Sequence, residues 1–370
     1  MTGTVDLIAA ARPNFMKVAP LYKALVLESD WCRPRLVHTG QHYDANMSDA
    51  FFRDLQLPEP YAHLGIGSGS HAEQTAGVMM AYERLCVRER PDWVVVVGDV
   101  NSTVACALAA TKLGIPVAHL EAGLRSRDRS MPEEINRILT DAIADLLWTP
   151  SPDADANLMA EGVTSVRIRR VGNIMIDALE MMRPSIEKRR MCEAMSLCPR
   201  KYGVVTLHRP SNVDDPARLA ELVNMLIDVA GNVPVVFPVH PRTRGRLIEN
   251  DLWRSLESVP ALRLLEPAGY IDFMSLVFNA AFIITDSGGV QEETTYLGIP
   301  CFTLRNNTER PITITCGTNR LVEIDNVLPG VHAVLGGNAR KGSRPDLWDG
   351  RTAGRVVRSL QQAMQERRLI

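Results

Sequence analysis

The sequence predicts an α/β protein built from two doubly wound lobes with a cleft between them. Short β-branched runs alternate with longer stretches of helical period, which is typical of repeated βαβ units and of parallel sheets buried on both faces. The chain has 370 residues, more than one hydrophobic core usually serves, so two domains are expected. Polar residues and glycines directly follow several of the apolar runs, as they do at the carboxyl ends of parallel strands.

The predicted strands are short apolar runs, at residues 4–9, 93–97, 116–120, 203–207, 234–239, 282–285 and 301–304. One βα unit shows its limits: Asn101 or Ser102 can cap its helix, and Gly114 can end it. A later helix begins at Pro132 and carries an apolar stripe, which predicts that this stripe is buried. The stripe consists of Ile135, Ile138, Leu139, Ala142 and Ile143.

Two further features organise the second half of the chain. A domain boundary is predicted near Val171, Gly172 and Asn173, after a basic segment and before a new helical stretch. A final helix over residues 352–368 has one apolar stripe, so it is predicted to dock onto the protein. That stripe consists of Val356, Val357, Leu360 and Met364.

Composition and charge exclude several classes of function. Hydrophobic residues make up 46% of the chain, charged residues 23%, and the formal net charge is −2, so no nucleic-acid partner is indicated. The chain starts without a basic leader and has no apolar run of membrane-spanning length, which predicts a cytoplasmic protein without a membrane partner. The seven cysteines show no CxxC spacing, which favours buried thiols in a reducing compartment and no metal site.

Four polar residues stand directly after predicted strands, where ligands of open parallel sheets bind. They are Asp99, Glu121, His208 and His240. Taken alone, each could be a helix cap or a loop acceptor. Two acids in adjacent βα loops of one lobe, with a histidine in the corresponding position of the other, favour catalysis.

The segment TDSGGVQEE, residues 285–293, is the strongest single candidate for a phosphate site. A strand ends there at Ser287, Gly288 and Gly289, and a helix begins at once, so backbone N–H groups and the helix dipole can face an anion. Glu293 is placed one turn later to accept hydrogen bonds from ribose hydroxyls. The alternative is a plain glycine turn with a surface glutamate.

Three cations could add positive charge to the same ligand. Arg12 and Lys17 flank the first βα loop, and Arg310 follows a polar loop in the second lobe. A guanidinium suits phosphate oxygens. For each of the three, a solvated surface cation is the alternative.

Beyond these individual sites, ordered motifs along nearly the whole chain resemble those of the non-hydrolysing UDP-N-acetylglucosamine 2-epimerases. The motifs are ARPNFMKVAPL (11–21), TGQHYDANMSD (39–49), GDVNSTVACALAA (98–110), HLEAGLRS (119–126), MPEEINRILTD (131–141), VGNIMIDAL (171–179), TLHRPSNVDD (206–215), PVHPRT (238–243), TDSGGVQEE (285–293), NTERP (307–311) and DGRTAGRVV (349–357). The resemblance implies two Rossmann-like lobes of the glycosyltransferase-B-like kind. Residues 1–170 plus 353–370 would form the lobe with the acid/base carboxylates, and residues 171–352 the lobe that binds UDP.

The resemblance also implies a reaction. UDP-N-acetylglucosamine and UDP-N-acetylmannosamine would interconvert by anti elimination of UDP to 2-acetamidoglucal and syn re-addition. No nicotinamide cofactor is needed, because no net oxidation or reduction occurs, and the resemblance implies no other cofactor and no metal. The partners implied are the UDP-sugar substrate and a second copy of the chain in a homodimer.

Residue roles follow from the same resemblance. The catalytic residues would be Asp99, Glu121, Glu133 and His208. The substrate-binding residues would be Arg12, Lys17, His240, Phe273, Ser287, Gly288, Gly289, Glu293 and Arg310, with Phe273 beside the uracil. Gln41 and His42 match a regulatory substrate site of some relatives, but Gly77 stands where some of those relatives have arginine.

Several other functions are compatible with the same motifs. One is C2 epimerisation of another UDP-hexosamine, such as a diacetamido-uronic acid, and another is a hydrolysing 2-epimerase. A glycosyltransferase on the same scaffold would have a similar nucleotide site, since fold does not settle function. A non-catalytic nucleotide-sugar sensor is the alternative outside enzymes. The three carboxylates argue against the last two.

Overall fold

A computed structural model describes residues 2–10, 12–40, 55 and 57–368, without the side chains of Arg12, Pro13 and Arg368. The chain forms two compact units, Met1–Met181 with Asp346–Ile370, and Met182–Pro345. The domain limits expected from the sequence, 170/171 and 352/353, lie near these unit limits without coinciding with them, and they stay a prediction.

Within the described residues, the first unit contains a seven-stranded parallel sheet in the order β3-β2-β1-β4-β5-β6-β7. The strands are β1 (Gly3–Ala9), β2 (Cys32–His38), β3 (Ala62–His63), β4 (Trp93–Val97), β5 (Val117–Leu120), β6 (Leu146–Thr149) and β7 (Ile168–Arg170). The helices are α1 (Arg12–Val26), α2 (His71–Arg88), α3 (Asn101–Lys112), α4 (Pro132–Ile143), α5 (Pro152–Ala160) and α6 (Ile174–Arg189), which contains the unit limit.

The second unit contains a six-stranded parallel sheet in the order β10-β9-β8-β11-β12-β13. Its strands are β8 (Gly203–Thr206), β9 (Val235–Pro238), β10 (Leu262–Leu265), β11 (Phe282–Thr285), β12 (Cys301–Thr303) and β13 (Asn319–Leu321). Its helices are α7 (Met191–Ala194), α8 (Pro210–Val213), α9 (Pro216–Ala230), α10 (Pro241–Glu249), α11 (Trp253–Glu257), α12 (Tyr270–Asn279), α13 (Gly288–Leu297), α14 (Ile312–Thr315) and α15 (Val327–Leu335). The last helix, α16 (Thr352–Arg368), belongs to the first unit.

Both sheets have the doubly wound strand order, which confirms the predicted fold class. Counted within each unit, the order begins 3-2-1-4-5-6, and the direction of the strand order reverses between strands 1 and 4. The valine run of β4 is at most 1% exposed along residues 94–97, because helices cover a parallel sheet on both faces. All seven strands predicted from the sequence are present, each within one residue of a predicted end or slightly shorter.

The packing of α4 reverses the prediction made for it. Ile135 and Leu139 of its apolar stripe are 40% and 50% exposed, whereas Glu134, Arg137 and Asp141 are buried. The physical reason is that the polar face of α4 is hydrogen-bonded to the loops after β4 and β5, and buried polar groups are stable when they are paired in this way.

The predicted cap of α3 is also wrong. Val100 is the N-cap residue and makes no side-chain cap hydrogen bond. The Asn101 side chain bonds Gln74, and Ser102 bonds Thr39. Gly114 does follow the helix with a positive φ of 67°.

The prediction for the last helix is confirmed. Val356, Val357, Leu360 and Met364 are 0–5% exposed on α16, so this helix docks through its apolar stripe. Among the residues described, no helix combines the length and hydrophobicity that a membrane crossing requires.

Candidate functional site

The first group of candidate residues lies at the carboxyl edge of the first sheet. Asp99 and Glu121 follow β4 and β5, which are neighbouring strands. Lys17 extends from α1, and its ammonium group forms an ion pair with Glu121. The structure therefore places this predicted phosphate ligand beside a predicted catalytic acid.

Glu121 has an unusual backbone and an incompletely paired carboxylate. Its φ is +74°, a left-handed conformation that costs a non-glycine residue on the order of 1–3 kcal/mol and is found preferentially at functional sites. One carboxylate oxygen, Oε2, pairs with Lys17. The other, Oε1, is buried without a hydrogen-bond partner among the described residues. A buried acceptor left open in this way is available to a ligand.

The turn after β4 leaves room for this ion pair. Gly98 has a φ of +68°, and a Cβ there would lie 3.1 Å from Lys17 Nζ and 3.3 Å from Glu121 Oε2. Asn14 stabilises the same turn, since its Nδ2 donates a hydrogen bond to the Val97 carbonyl at 2.9 Å. A larger residue at position 98 would therefore crowd both charged groups.

The other acids of this edge differ in their surroundings. Asp99 forms an ion pair with Arg137, whose guanidinium also contacts Glu134 at 2.8 Å. Asn136 donates to the Asp99 carbonyl at 2.9 Å. The carboxyl of Asp99 is 28% exposed, and Glu133 is exposed on the first turn of α4. Both acids are thus open to solvent or to a ligand.

The second group lies at the carboxyl edge of the second sheet, around Asp286. This aspartate follows β11 and is fully buried. His208, two residues beyond the end of β8, places its Nδ1 3.1 Å from Asp286 Oδ1. Burial alone would raise the pKa of Asp286, but the His208 ring, the Arg209 amide and Asn212 together hold it below its usual range. The carboxylate contacts Nδ1 and so orients the half-exposed imidazole, which makes Nε2 the ring nitrogen that can serve a ligand.

His240 lies beside His208, with ring centroids 5.4 Å apart. It is the N-cap of α10, where its Nδ1 accepts a hydrogen bond from the Arg242 amide at 3.2 Å. Burial, with His208 next in importance, lowers the pKa of His240. A neutral ring suits this cap, because the cap requires an unprotonated nitrogen.

The glycine segment opens α13 as predicted. Ser287 is the N-cap, and Gly288 is the first helical residue. A Cβ at Gly288 would lie 2.8 Å from Glu309 Oε1 and 3.0 Å from Arg310 Nη1. Arg310 itself is paired with Glu309 and with Glu292, at 2.8 Å for the latter. Its guanidinium is therefore held close to the helix N-terminus, where an anion would bind.

Glu293 is buried one turn into α13. It accepts a 2.7 Å hydrogen bond from the Tyr270 hydroxyl. Burial raises the pKa of Glu293 to about 7. Phe273 is half-buried on α12, one turn after Tyr270. The two helices thus bring an acid, a phenol and a phenyl ring into one region of the second unit.

Some predicted residues cannot be placed. Gln41, His42 and the Arg12 side chain lie outside the described residues. Across the described residues, no group of three or more His, Cys, Asp and Glu side chains could hold a metal ion.

Sequence reasoning missed three residues that the structure brings into these groups: Arg137, Tyr270 and Asp286. Asp286 had a usable signal, because it is the polar residue that directly follows β11. Arg137 and Tyr270 lie on helices, and only the packing relates them to Asp99 and Glu293.

The fold and these two groups define a two-unit Rossmann-like α/β protein, with paired acids on one sheet edge and an anion-ready helix terminus on the other. Comparison with known proteins takes the assignment further. The family model described as UDP-N-acetylglucosamine 2-epimerase matches residues 26–361. The chain belongs to this family.

Three relatives illustrate the likeness. A UDP-N-acetylglucosamine 2-epimerase of Methanocaldococcus jannaschii is 41% identical, over 96% of this chain and 98% of its own length. A crystal structure of the enzyme from that organism, in complex with UDP-GlcNAc and UDP, superposes with a TM-score of 0.86 at 40% identity, over 97% of this chain and 99% of the other. A UDP-2,3-diacetamido-2,3-dideoxy-D-glucuronate 2-epimerase of Pseudomonas aeruginosa is 43% identical, over 85% of this chain and 87% of its own length.

Proposed function

We propose that this protein interconverts UDP-N-acetylglucosamine and UDP-N-acetylmannosamine without a cofactor. Family membership and the relative that was crystallised with UDP-GlcNAc and UDP support this substrate. The observation that carries the proposal is Glu121, a buried acid in a left-handed conformation with one carboxylate oxygen open and a lysine on the other.

The proposed reaction proceeds through elimination and re-addition. UDP leaves C1 anti to the C2 proton, which a carboxylate removes, and 2-acetamidoglucal forms. The C2 proton is weakly acidic, so cleavage of the C1–O bond runs ahead and gives C1 oxocarbenium character. A proton then returns to the opposite face of C2 while UDP adds back syn. The hydrogen and the electron pair are conserved, so no oxidant is required.

In the first unit, we assign the proton transfers at C2 to Asp99, Glu121 and Glu133. General acid–base catalysis of this kind contributes roughly 100- to 10,000-fold to a rate. The ammonium group of Lys17 holds one carboxylate oxygen of Glu121 in place, while the other oxygen stays open to the substrate. Ionised carboxylates can take a proton, and their protonated partners can return one to the other face.

In the second unit, we assign UDP binding to the edge around α13. The amides of Ser287, Gly288 and Gly289, with Arg310, suit the diphosphate. Glu293 suits the ribose hydroxyls, and Phe273 suits the uracil. His208 and His240 complete this group, with His208 oriented by Asp286 to assist the departing diphosphate.

Incubation with UDP-N-acetylglucosamine in deuterated water tests the reaction. The expected result is deuterium at C2 of both epimers for the wild type, and loss of this exchange for Asp99→Asn. UDP binding by the same variant should persist, because the residues assigned to UDP around α13 are unchanged. Turnover without deuterium at C2 would rule out the reaction.

A second substrate is favoured by one finding, the 43% identity to the diacetamido-glucuronate epimerase of Pseudomonas aeruginosa. The same proton chemistry would serve such a uronic acid, because C2 is unchanged. A panel of UDP-sugars, compared by kcat/KM, separates the two: a preference for the diacetamido-uronic acid would replace UDP-N-acetylglucosamine as the substrate.

We also propose that the protein is a homodimer that operates in the cytoplasm. The solvent-exposed side chains of Ile135 and Leu139 on α4 support an association surface, since a helix rarely presents its apolar stripe to water. Five of the seven cysteines are buried free thiols, whereas Cys198 and Cys316 are exposed free thiols, which suits a reducing compartment.

Sedimentation velocity tests the dimer. The double change Ile135→Glu with Leu139→Lys is expected to give monomers. Val87→Lys is the control, because Val87 is 72% exposed on α2 and its replacement should leave the mass unchanged. A wild type that sediments as a monomer would refute the dimer.

A further inference from the structure

A fully buried histidine stands behind the acids of the first unit. His119 lies on β5 and is 0% exposed. Its Nδ1 is 2.6 Å from Asp141 Oδ1, and its Nε2 is 2.8 Å from the Gly98 carbonyl oxygen. Both ring nitrogens therefore face oxygen atoms.

These two contacts fix the protons of the ring. A carbonyl oxygen can only accept, so Nε2 must carry a proton that it donates to Gly98. The second proton lies on the short contact between Nδ1 and Asp141, since two lone pairs at that distance would repel. Neither nitrogen is left to accept a proton from a substrate, so His119 cannot act as a general base.

The far side of Asp141 keeps that carboxylate ionised. Its Oδ2 accepts the Gly123 amide at 3.0 Å and faces Arg125 Nη1 at 2.8 Å. Burial alone would raise the pKa of Asp141, but His119, Arg125 and the Gly123 amide together lower it. Asp141 is therefore held at both oxygens, by the His119 ring at Oδ1 and by Arg125 and the Gly123 amide at Oδ2.

The network ties together the two loops that carry the proposed acids. Gly98 directly precedes Asp99, while Glu121 lies between His119 and Gly123 in the chain. We infer that His119, held between Asp141 and the Gly98 carbonyl, is a positioning residue that sets the relative placement of Asp99 and Glu121. This inference rests on the proposed function, because it gives His119 its role through those two acids.

The first test changes the ring and its partner separately. His119→Phe keeps an aromatic ring but removes both N–H donors, and kcat is expected to fall about 100-fold, as when catalytic groups shift by about 1 Å. KM and the affinity for UDP should stay near wild type. Asp141→Asn can keep every hydrogen bond, because the introduced amide can donate to a neutral His119 and still accept from Gly123. Its kcat should stay well above that of His119→Phe.

A matched control separates positioning from loss of stability. Val117→Ala opens a cavity in the same strand, where Val117 is 0% exposed. It should lower the melting temperature and leave kcat near wild type. Unchanged kcat in His119→Phe, equal losses in folded His119→Phe and Asp141→Asn, or an equal loss in Val117→Ala would each overturn the inference.

A spectroscopic test examines the His119 ring directly in the wild-type protein and requires no activity measurement. In wild-type protein labelled with ¹⁵N-histidine, Nε2 of His119 should carry the proton that it donates to the Gly98 carbonyl, and an Nε2 without a proton would overturn the inference. Failure of the proposed function looks different: the wild type would then exchange no deuterium into C2, whatever the ring signals show.

Discussion

Both sheets place polar side chains at the carboxyl ends of their strands, yet the two edges carry different chemistry. After β4 and β5, carboxylates are paired with cations, as in Asp99 with Arg137 and Glu121 with Lys17. After β8, β9 and β11 stand two imidazole rings, the buried carboxylate of Asp286 and a glycine helix terminus. One strand order thus supports two kinds of site, because the loops and not the sheet supply the reactive groups.

The difference suggests a division of labour. The first edge has the acids that can move a proton, and the second has the donors that can hold a diphosphate. If this division is real, changes at one edge should alter the chemical step and spare nucleotide binding, while changes at the other should do the reverse.

The largest expected effect is at the first edge. Glu121→Gln should slow deuterium incorporation at C2 by roughly 100- to 10,000-fold, because the amide cannot exchange a proton with carbon. Calorimetric affinity for UDP should be unchanged. Glu83→Gln, on the exposed side of α2, is the control and should retain wild-type exchange. Weakened UDP binding in Glu121→Gln would break the division.

A pH effect of intermediate size is expected from Glu293. Its pKa of about 7 in the folded protein lies above the ordinary carboxylate value of 4.5, so the folded state holds a proton that the unfolded chain releases. The free energy of unfolding that this proton contributes is fully present below pH 4.5, the ordinary pKa, and is lost as the pH rises through about 7. The loss should be on the order of 3 kcal/mol.

The melting temperature from about pH 5 to about pH 8 measures this effect. Relative to Glu293→Gln, which has no such proton, the wild type should lose stability as the pH rises. Glu249→Gln, on the exposed end of α10, should follow the wild-type profile. Parallel curves for wild type and Glu293→Gln would show that this acid is ionised in the folded state throughout.

The smallest expected effect is at Arg310. Arg310→Gln should weaken UDP binding by about 1.5–3 kcal/mol, as for loss of a charge-assisted hydrogen bond. The rate of C2 exchange at saturating substrate should change far less. The exposed Arg320 on β13 offers Arg320→Gln as a control with unchanged affinity. Unchanged UDP affinity in Arg310→Gln would remove this guanidinium from the nucleotide site.

The sequence predicted those parts of the molecule in which local pattern and tertiary environment agree. The unit from β4 to Gly114 is an example, since its apolar strand, small-residue helix and terminal glycine each favour the observed structure. β2 was not predicted, because CRPRLVH interrupts its apolar residues with two arginines and a proline. Arg35 is nevertheless buried there, paired with the buried Asp6 at 2.6 Å.

The failure at α4 has the same physical origin. Periodicity locates an apolar stripe, but it cannot show that Glu134, Arg137 and Asp141 have partners buried behind them. The partners of the predicted site residues were hidden in the same way. His119 lies within the strand VAHL, and its partner Asp141 is 22 residues away. Such pairs become visible only when the chain is folded.

The left-handed backbone at Glu121 limits which substitutions position 121 can tolerate. Glycine would relax that conformation at no steric cost, but it would abolish the acid. Selection for heat resistance alone should therefore admit small or flexible residues at position 121, whereas selection for turnover should reject them. At position 121, thermal stability and catalytic activity therefore favour different residues.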